Sequence, residues 1–376
     1  MPLKLLLVAG ARPNFMKVAP LLWEIERRDD VDALLVHTGQ HYDEKMSQRF
    51  FAELHIPKPD VNLEVGSGSH AVQTAEVMKR FERVLLAQKP DAVLVVGDVN
   101  STLACALTAV KLGVSVAHVE AGLRSFDRSM PEEINRILTD AISDSLFITE
   151  PSGFANLRAE NIPAERIHFA GNVMIDTLIA CQPAIARSQI LATLGVQARR
   201  YAVLTMHRPA NVDRPEVFSG LIHAIRRLQQ EIPFVFPVHP RTRQAIDAQA
   251  EDLPNVIFTE PLGYLEFMKL IGDARFVLTD SGGVQEETTY LGVPCLTMRE
   301  NTERPVTMTQ GTNRLVGLNP DKIIAEGLHA LSGASQRHSI PELWDGQAAR
   351  RILDILTGSS VGALATSNKL VGQRDG

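Results

Sequence analysis

Short apolar runs alternate with stretches of helical periodicity along the first half of the chain. The apolar runs predict buried strands of one parallel sheet at residues 5–9, 33–37, 92–97, 115–119 and 145–149. The stretches between them predict helices at residues 13–27, 73–88, 102–112 and 131–140. Strands that alternate with helices in this way are typical of a doubly wound α/β domain.

The same alternation starts again after residue 171. It predicts strands at 201–206, 234–239, 256–259, 276–279 and 294–297, and helices at 217–231, 264–271 and 283–291. We therefore predict an α/β fold with two Rossmann-like domains, residues 1–171 and 172–357, facing each other across a cleft. A linker is expected near 171–200. Residues 358–376 are rich in Gly, Ser, Ala and Thr without periodicity, which predicts a disordered tail.

The composition of the chain argues against nucleic-acid-binding, membrane-spanning and secreted proteins. The chain has 376 residues and a formal net charge of −6, which argues against a nucleic-acid partner. No apolar run approaches the roughly 20 residues that cross a bilayer, and the N-terminus turns polar too early for a secretory signal. Cys105, Cys181 and Cys295 are widely spaced in apolar segments, which favours buried thiols over a disulfide or a metal site. We predict a cytoplasmic protein without a membrane partner.

The segment Asp280-Ser281-Gly282-Gly283 follows a predicted strand and opens a predicted helix. Two glycines leave room for backbone N–H groups to approach a ligand, and a helix N-terminus favours an anion. Glu287, one turn further on, is placed to accept hydrogen bonds from a ribose diol. A serine-protease loop has similar letters, but the α/β pattern argues against it. The segment predicts a cradle for a nucleoside diphosphate.

Charged residues also follow the first predicted strand. Arg12 and Lys17 bracket the start of a helix at Pro13. They form either a solvated surface pair or an anion-binding pair. Their position at the carboxyl end of a strand favours the second interpretation, because ligands of such sheets bind there.

Carboxylates end two further strands of the first half. Asp98 follows Gly97 and is either a helix cap or a catalytic group. Asn100, Ser101 and Thr102 are spare capping candidates, which favours catalysis by Asp98.

Glu120 ends the next strand, with Arg124 as a candidate partner in a buried ion pair. Glu132 follows Pro131 at an ordinary helix start. Together, Asp98, Glu120 and Glu132 place three carboxylates near one sheet edge, which suits general acid–base chemistry.

Basic groups end the strands of the second half. His207-Arg208 and His239-Pro240-Arg241 each place an imidazole and a guanidinium at a strand end, and Arg304 follows a later strand. A single histidine is more often structural than functional. Two such strand ends beside one cleft favour the handling of an anion.

These motifs together resemble the non-hydrolysing UDP-N-acetylglucosamine 2-epimerases over about residues 3 to 357. The hallmarks lie in the same order along the chain: Gly10-Ala11-Arg12-Pro13, Gly97-Asp98, His118-Val119-Glu120-Ala121-Gly122-Leu123-Arg124, Pro131-Glu132-Glu133, His207-Arg208, Asp280-Ser281-Gly282-Gly283 with Gln285-Glu286-Glu287, and Thr302-Glu303-Arg304-Pro305. The resemblance implies a glycosyltransferase-B-like fold whose last helix packs back on the first domain. It also implies a homodimer that acts on a UDP-sugar without nicotinamide, another cofactor or a metal.

The resemblance also implies a reaction and a set of site residues. The enzymes of this family eliminate UDP from the sugar while a base removes the C2 proton, and UDP then adds back to the 2-acetamidoglucal, which interconverts UDP-GlcNAc and UDP-ManNAc. The implied acid–base set is Asp98, Glu120, Glu132 and His207. The implied binding residues are Arg12, Lys17 and Arg304 for the diphosphate, Ser281, Gly282 and Gly283 for phosphate, Glu287 for ribose and Phe267 for uracil. Gln40, His41 and His239 are candidate regulatory residues.

Several alternatives stay open at this point. Tyr42 and Asp43 depart from the family's segment for a second, activating substrate molecule, and Leu262 stands where a uracil-side glutamine is usual. A relative that acts on a diacetamido uronic acid nucleotide is one alternative. Others are a UDP-dependent glycosyltransferase, a hydrolysing epimerase and a non-catalytic nucleotide-sugar sensor. The three carboxylates favour elimination over transfer or sensing.

Overall fold

The computed structural model describes residues 1–39, 44–238, 242–243, 246, 253–333 and 338–358, and of residues 12 and 44–48 the backbone alone. Its first half contains a parallel sheet of seven strands. These are β1 (Leu3–Ala9), β2 (Val31–His37), β3 (Val61–Asn62), β4 (Ala92–Val96), β5 (Ser115–Ala121), β6 (Ser145–Ile148) and β7 (Ile167–Phe169). Their order across the sheet is β3-β2-β1-β4-β5-β6-β7.

The second half contains a parallel sheet of six strands. These are β8 (Ala202–Thr205), β9 (Phe234–Pro237), β10 (Val256–Thr259), β11 (Val277–Thr279), β12 (Cys295–Thr297) and β13 (Asn313–Leu315). Their order is β10-β9-β8-β11-β12-β13. In both sheets the order reverses beside the first strand, and this switch point opens a crevice at the carboxyl ends of the strands.

Helices connect the strands of both sheets. In the first half they are α1 (Arg12–Ile25), α2 (Glu44–Glu53), α3 (His70–Gln88), α4 (Asn100–Lys111), α5 (Pro131–Ile142) and α6 (Pro151–Ala159). Between the sheets lie α7 (Val173–Ala186) and α8 (Ile190–Leu194). The rest are α9 (Pro209–Val212), α10 (Pro215–Leu228), α11 (Tyr264–Gly272), α12 (Gly282–Leu291), α13 (Val306–Thr309), α14 (Pro320–Ser332) and α15 (Ala348–Leu356).

Burial on both faces explains why the central strands read as continuous apolar runs. Leu5, Leu6 and Leu7 of β1 are completely buried, although successive side chains of a strand point to opposite faces. Val93 and Leu94 of β4 are equally inaccessible. Helices therefore cover both faces of the first sheet, and this confirms the predicted α/β class.

The end of the chain returns to the first half. In α15, the Asp354 carboxylate lies 2.6 Å from Nη1 of Arg28, which follows α1. Just before α15, Trp344 is 1% exposed, and its indole N–H donates to the carbonyl of Thr149 at 3.0 Å. The end of the chain is therefore tied to the first half at two places. The division at residue 171 stays a prediction.

The sequence pattern located most of the central strands and helices and missed several other elements. The strands β3, β7 and β13, with two or three residues each, were not predicted, nor were the helices α2, α6 and α14; α15 was expected from the family resemblance alone. The suggested caps of α4 were wrong, because Val99 is the N-cap and Asn100, Ser101 and Thr102 lie inside the helix. Within the described ranges, no helix is long and apolar enough to cross a membrane. All three cysteines are buried free thiols.

Candidate active site

Asp98 lies at the carboxyl end of β4, in the turn that leads into α4. Its carboxylate is 2.5 Å from Nη1 of Arg136, and the side chain is 26% exposed. Burial by itself raises the pKa of Asp98, but the charges of Arg136, Lys17 and Arg304 outweigh it and lower the pKa. Asp98 is therefore an anion that remains accessible from the cleft. It does not cap α4.

Gly97 makes this arrangement sterically possible. Its φ of +68° lies in the left-handed region. A Cβ at this position would lie 2.8 Å from Nζ of Lys17 and 3.3 Å from Oε2 of Glu120. Any larger residue would push the ammonium and the carboxylate away from the strand end.

Glu120 stands at an irregular point of β5. Its φ is +72°, which is rare for a residue with a side chain, and the pairing of β5 with β6 shifts between Val119 and Ala121. Lys17 Nζ contacts one carboxylate oxygen, and Arg304 Nη2 donates to the other at 2.8 Å. The strained backbone thus aims a buried carboxylate at one cation from each half.

The suggested pairing of Glu120 with Arg124 was wrong. Arg124 lies 2.7 Å from Asp140 and 2.6 Å from Glu160 instead. Asp140 also lies 2.7 Å from Nδ1 of His118. The residues beside Glu120 in sequence therefore form a separate buried network beneath the strand.

Glu132 shares a cavity with Asp98. The side chain is exposed in the first turn of α5. The cavity has a volume of about 230 Å³ and is lined mainly by polar residues: Ser67, Gly68, His70, Gln73, Asp98, Val99, Asn100, Pro131, Glu132 and Asn135. The structure therefore brings these two carboxylates to one wall of the cleft. Glu120 joins them through Lys17 and Arg304, whose charges act on both Asp98 and Glu120.

The turn Ser281-Gly282-Gly283 leads from β11 into α12. Ser281 is the N-cap and makes no side-chain hydrogen bond to the helix. A Cβ on Gly282 would lie 2.6 Å from Nη1 of Arg304, and one on Gly283 would lie 2.9 Å from the Met174 methyl. The glycines are therefore needed for packing, and they leave the positive end of α12 facing the cleft.

His207 follows β8, and its imidazole is 57% exposed. Nδ1 lies 2.8 Å from Oδ1 of Asp280, a residue that is completely buried. The Oδ2 atom of Asp280 accepts the backbone N–H groups of His207 and Arg208 at 2.9 and 2.8 Å. It also accepts the Asn211 amide at 3.1 Å. One buried carboxylate therefore holds the whole turn after β8.

Arg304 connects the two halves of the site. Its guanidinium lies 3.0 Å from Glu286, contacts Glu303, and reaches Glu120 of the first half. Burial raises the pKa of Glu286 despite the neighbouring Arg304 charge, while Arg304 and Arg299 hold the pKa of buried Glu303 well below its usual value. The positive charge of Arg304, a residue of the second half, therefore lies beside a carboxylate of the first half.

Two further predicted binding residues line the inner side of α11 and α12. Glu287 is 3% exposed, and burial, with Glu286 beside it, raises the pKa of Glu287 to about 8. Phe267 is partly buried against the core cluster that also contains Tyr264. Their proposed contacts with ribose and uracil stay predictions.

Some predicted residues lie outside the described part of the chain, and some well-placed residues had no predicted role. Outside the described part lie the Arg12 side chain, Gln40, His41 and His239.

Four residues of the site had no predicted role: Arg136, Asp280, Glu286 and Glu303. The last three lie inside quoted motifs, so their signal was present in the sequence. Arg136 is one helical turn after Glu132, which is the spacing that places it beside the same cavity.

A family model described as UDP-N-acetylglucosamine 2-epimerase matches residues 23–357 of the chain. The chain belongs to the UDP-N-acetylglucosamine 2-epimerase family. The resemblance drawn from the motifs is thereby confirmed. The match to the family model covers almost the whole chain.

Two curated relatives and one solved structure illustrate the similarity. The UDP-N-acetylglucosamine 2-epimerase of Methanocaldococcus jannaschii is 41% identical, over 94% of this chain and 99% of its own. Its crystal structure in complex with UDP-GlcNAc and UDP matches with a TM-score of 0.89, at 40% identity, over 95% and 100% of the two chains. The UDP-2,3-diacetamido-2,3-dideoxy-D-glucuronate 2-epimerase of Pseudomonas aeruginosa is also 41% identical, over 94% and 99% of the chains.

A more distant structure bears on the fold alone. The glycotransferase of kitacinnamycin matches with a TM-score of 0.55 at 12% identity, over 94% and 98% of the two chains. The predicted glycosyltransferase-B-like arrangement of two Rossmann-like domains is confirmed.

Proposed function

We propose that the protein is a non-hydrolysing UDP-N-acetylglucosamine 2-epimerase that interconverts UDP-GlcNAc and UDP-ManNAc. The observation that carries this proposal is that two sheet edges with different functional groups face the same cleft. Asp98 and Glu132 line a cavity on the first edge, and the glycine turn before α12 lies on the second. Arg304 reaches from the second edge to Glu120 on the first.

The chemistry explains why both edges are needed. The C2 proton of the sugar is only weakly acidic, because no carbonyl group stands next to C2. Removing it becomes feasible when the UDP group leaves C1 at the same time, which forms a carbon–carbon double bond between C1 and C2. The proton then returns to C2 from the opposite face while UDP adds back at C1. Acid–base groups near C2 and positive groups near the diphosphate are therefore required together.

The carboxylates of the first edge fit the acid–base part. Asp98 is ionised at neutral pH because nearby cations lower its pKa, so it is ready to accept a proton. Glu132 lines the same cavity and is exposed to the cleft. Glu120 completes the set, with Lys17 and Arg304 on its two oxygens.

The residues of the second edge suit the binding of UDP, the leaving group of the proposed reaction. The positive end of α12 and the turn Ser281-Gly282-Gly283 suit the phosphates, with Lys17, Arg304 and Arg12 as further cations. His207 would assist the departing diphosphate or a proton transfer. Glu287 would bind the ribose and Phe267 the uracil. Gln40, His41 and His239 are proposed to regulate the enzyme.

A second candidate substrate is favoured by one specific observation. The Pseudomonas aeruginosa relative, at 41% identity, is named for a 2,3-diacetamido-2,3-dideoxy-D-glucuronate nucleotide. The same C2 chemistry on that UDP-sugar would use the same carboxylates and the same diphosphate site. The two candidates differ at C3 and C6 of the hexose.

We also propose a cytoplasmic homodimer. Buried free thiols at all three cysteines suit a reducing compartment. Neighbouring helices of the first half expose apolar side chains, with Val72 and Leu86 of α3 both 59% exposed and Leu112 after α4 38% exposed. Such a surface suits burial against a second copy. Sedimentation equilibrium of the purified protein tests this, and a monomer at micromolar concentration would contradict it.

Hydrogen exchange at C2 tests the proposed reaction. The protein is incubated in deuterium oxide with UDP-GlcNAc, and separately with the diacetamido uronic acid nucleotide, and proton NMR follows each sugar. We expect loss of the C2 proton signal of the substrate together with appearance of the C2 epimer. A substrate that keeps its C2 proton at long times would exclude epimerisation of that sugar. Release of free ManNAc with UDP would indicate a hydrolysing enzyme instead.

A further inference from the structure

The turn after β8 depends on a buried carboxylate with no predicted role. Asp280 directly follows β11, the strand that pairs with β8, and is completely buried. Its Oδ2 atom accepts three hydrogen bonds, from the His207 and Arg208 backbone N–H groups and the Asn211 amide, and its Oδ1 atom lies 2.8 Å from the His207 ring. A carboxylate with this many donors is held rigidly in one orientation.

The contact with the ring determines which nitrogen of His207 is protonated. Burial alone would raise the pKa of Asp280, but His207 and the backbone donors outweigh it and keep the pKa below its usual value. An ionised carboxylate only accepts hydrogen bonds. A bare Nδ1 lone pair 2.8 Å from Oδ1 of an ionised carboxylate would be repelled, so this contact favours a hydrogen on Nδ1. Nε2 is then the nitrogen left for the cleft.

The same residue connects His207 with the anion site. Asp280 directly precedes the turn Ser281-Gly282-Gly283, and its backbone carbonyl accepts Nε–H of Arg208 at 2.9 Å. The Arg208 guanidinium lies 3.9 Å from the sulfur of Met130 in the first half, so the turn after β8 faces across the cleft. A displacement of Asp280 would move the imidazole and the phosphate turn together.

We propose that Asp280 is a positioning residue that fixes the Nδ1–H form of His207 and aims its Nε2 atom at the diphosphate of the substrate. Asp280 itself does not touch substrate. Its effect on turnover passes through the imidazole, in the way that a buried carboxylate orients a catalytic histidine in hydrolases of unrelated fold. The kinetic part of this inference rests on the proposed function, whereas the protonation of the ring does not.

The protonation of the ring can be measured on the unmodified protein. With all 11 histidines labelled with nitrogen-15, two-dimensional NMR distinguishes a protonated Nδ1 from a bare one. The signals of His207 are those missing from the His207→Asn variant. We expect hydrogen on Nδ1 in the wild type. A neutral ring with hydrogen on Nε2 alone would overturn the proposal, whether or not the protein is an epimerase.

A double-mutant cycle tests the kinetic part. We expect Asp280→Asn to lower kcat at least ~100-fold, because an amide can donate to Nδ1 and reverse the tautomer, while the Kd for UDP changes less than ~3-fold. In a His207→Asn background, the same substitution should lower kcat by less than ~3-fold. Multiplicative losses in the double variant would overturn the proposal, as would a loss of UDP binding that accounts for the whole effect.

A matched control separates this from general damage to the strand ends. Thr205→Val removes the 2.6 Å hydrogen bond between Thr205 and Thr279 beside Asp280, without touching the imidazole. We expect its kcat to stay within ~3-fold of wild type. A loss as large as that of Asp280→Asn would show that any disturbance here is sufficient, and the specific role of Asp280 would be rejected. Failure of the wild type to epimerise any UDP-sugar would reject the proposed function instead.

Discussion

The two sheet edges that form the cleft expose different groups, and a buried charged residue lies behind each of them. On the first edge the exposed groups are carboxylates, and buried Arg136 lies 2.5 Å from Asp98. On the second edge the exposed group is the His207 imidazole, and buried Asp280 lies 2.8 Å from it. In both places a buried charged side chain lies within 2.8 Å of the group that faces the cleft and holds its orientation.

The difference between the two edges explains how one cleft can hold both the proposed acid–base residues and the proposed anion site. Carboxylates and a diphosphate repel each other, so the two sites need separate walls and cations between them. Arg304 supplies that charge, because it starts in the second half and donates to Glu120 in the first. Lys17 contacts the other oxygen of Glu120. The predictions below test the two edges and then the residues that join them.

The first edge is tested most directly by Asp98→Asn. The amide cannot take up the C2 proton, so we expect turnover of UDP-GlcNAc to fall at least ~100-fold, the lower end for lost acid–base catalysis. UDP affinity should remain largely intact, because the proposed phosphate turn Ser281-Gly282-Gly283 lies on the other edge. Steady-state kinetics and calorimetry measure the two quantities. Asp32→Asn, on the exposed side of β2, is the control. An unchanged turnover number would refute the role of Asp98.

The link between the edges is tested by Arg304→Gln. The substitution leaves buried Glu120, Glu286 and Glu303 without their shared cation, and breaking a buried ion pair destabilises a fold by about 3 kcal/mol. Urea unfolding measures this loss. Arg314→Gln removes a cation that is 36% exposed and should change the stability by less than ~1 kcal/mol. Equal effects of the two variants would show that Arg304 is no more than a surface charge.

The nucleoside side of the second edge is tested at Glu287. Burial raises its pKa to about 8, so the carboxyl is largely neutral at pH 7 and an amide resembles it. We expect Glu287→Gln to keep the Kd for UDP within ~3-fold and Glu287→Ala to weaken binding ~10-fold, the value of one or two hydrogen bonds. Isothermal calorimetry at pH 7 measures both, with Glu326→Ala as a surface control. Unaltered binding by the alanine variant would remove Glu287 from the ribose site.

The sequence alone located the exposed working groups better than the buried ones that support them. Asp98 and His207 end apolar strands, and the carboxyl ends of parallel strands meet at one edge, so their positions could be predicted. Arg136 lies one helical turn after Glu132, which places both on one face of α5, but the sequence does not show that the Arg136 charge contacts Asp98. The partner of Glu120 was mistaken for the same reason. A neighbour in sequence was chosen, whereas the real partners, Lys17 and Arg304, come from distant parts of the chain.

The fold shows the same division between local and distant information. Long strands such as β1 and β4 are buried on both faces and give continuous apolar runs that identify them. β3, with two residues, gives no such signal, because an element of this length is created by its neighbour in the sheet. The return of α15 to the first half was implied by the family resemblance alone. It is fixed by contacts such as Arg28 with Asp354, which lie 326 positions apart in the chain.

Glu150→Gln tests the buried contact between the two halves. Of these predictions, it has the smallest expected effect. Glu150 follows β6, is 1% exposed, and accepts the Val306 N–H of the second half at 3.4 Å. Burial raises its pKa from 4.5 to about 7, with the charge of Glu286 adding to the shift. A raised pKa means that the folded state binds the proton more tightly, so this stability is complete below about pH 4.5 and is lost as the pH rises through 7. Between pH 6 and 8 the wild type should therefore lose about 1 kcal/mol relative to the glutamine variant, which does not titrate. Urea unfolding at the two pH values measures this difference. Parallel pH dependence of both proteins would mean that Glu150 is ionised in the folded state, and the two halves would then meet across a buried charge.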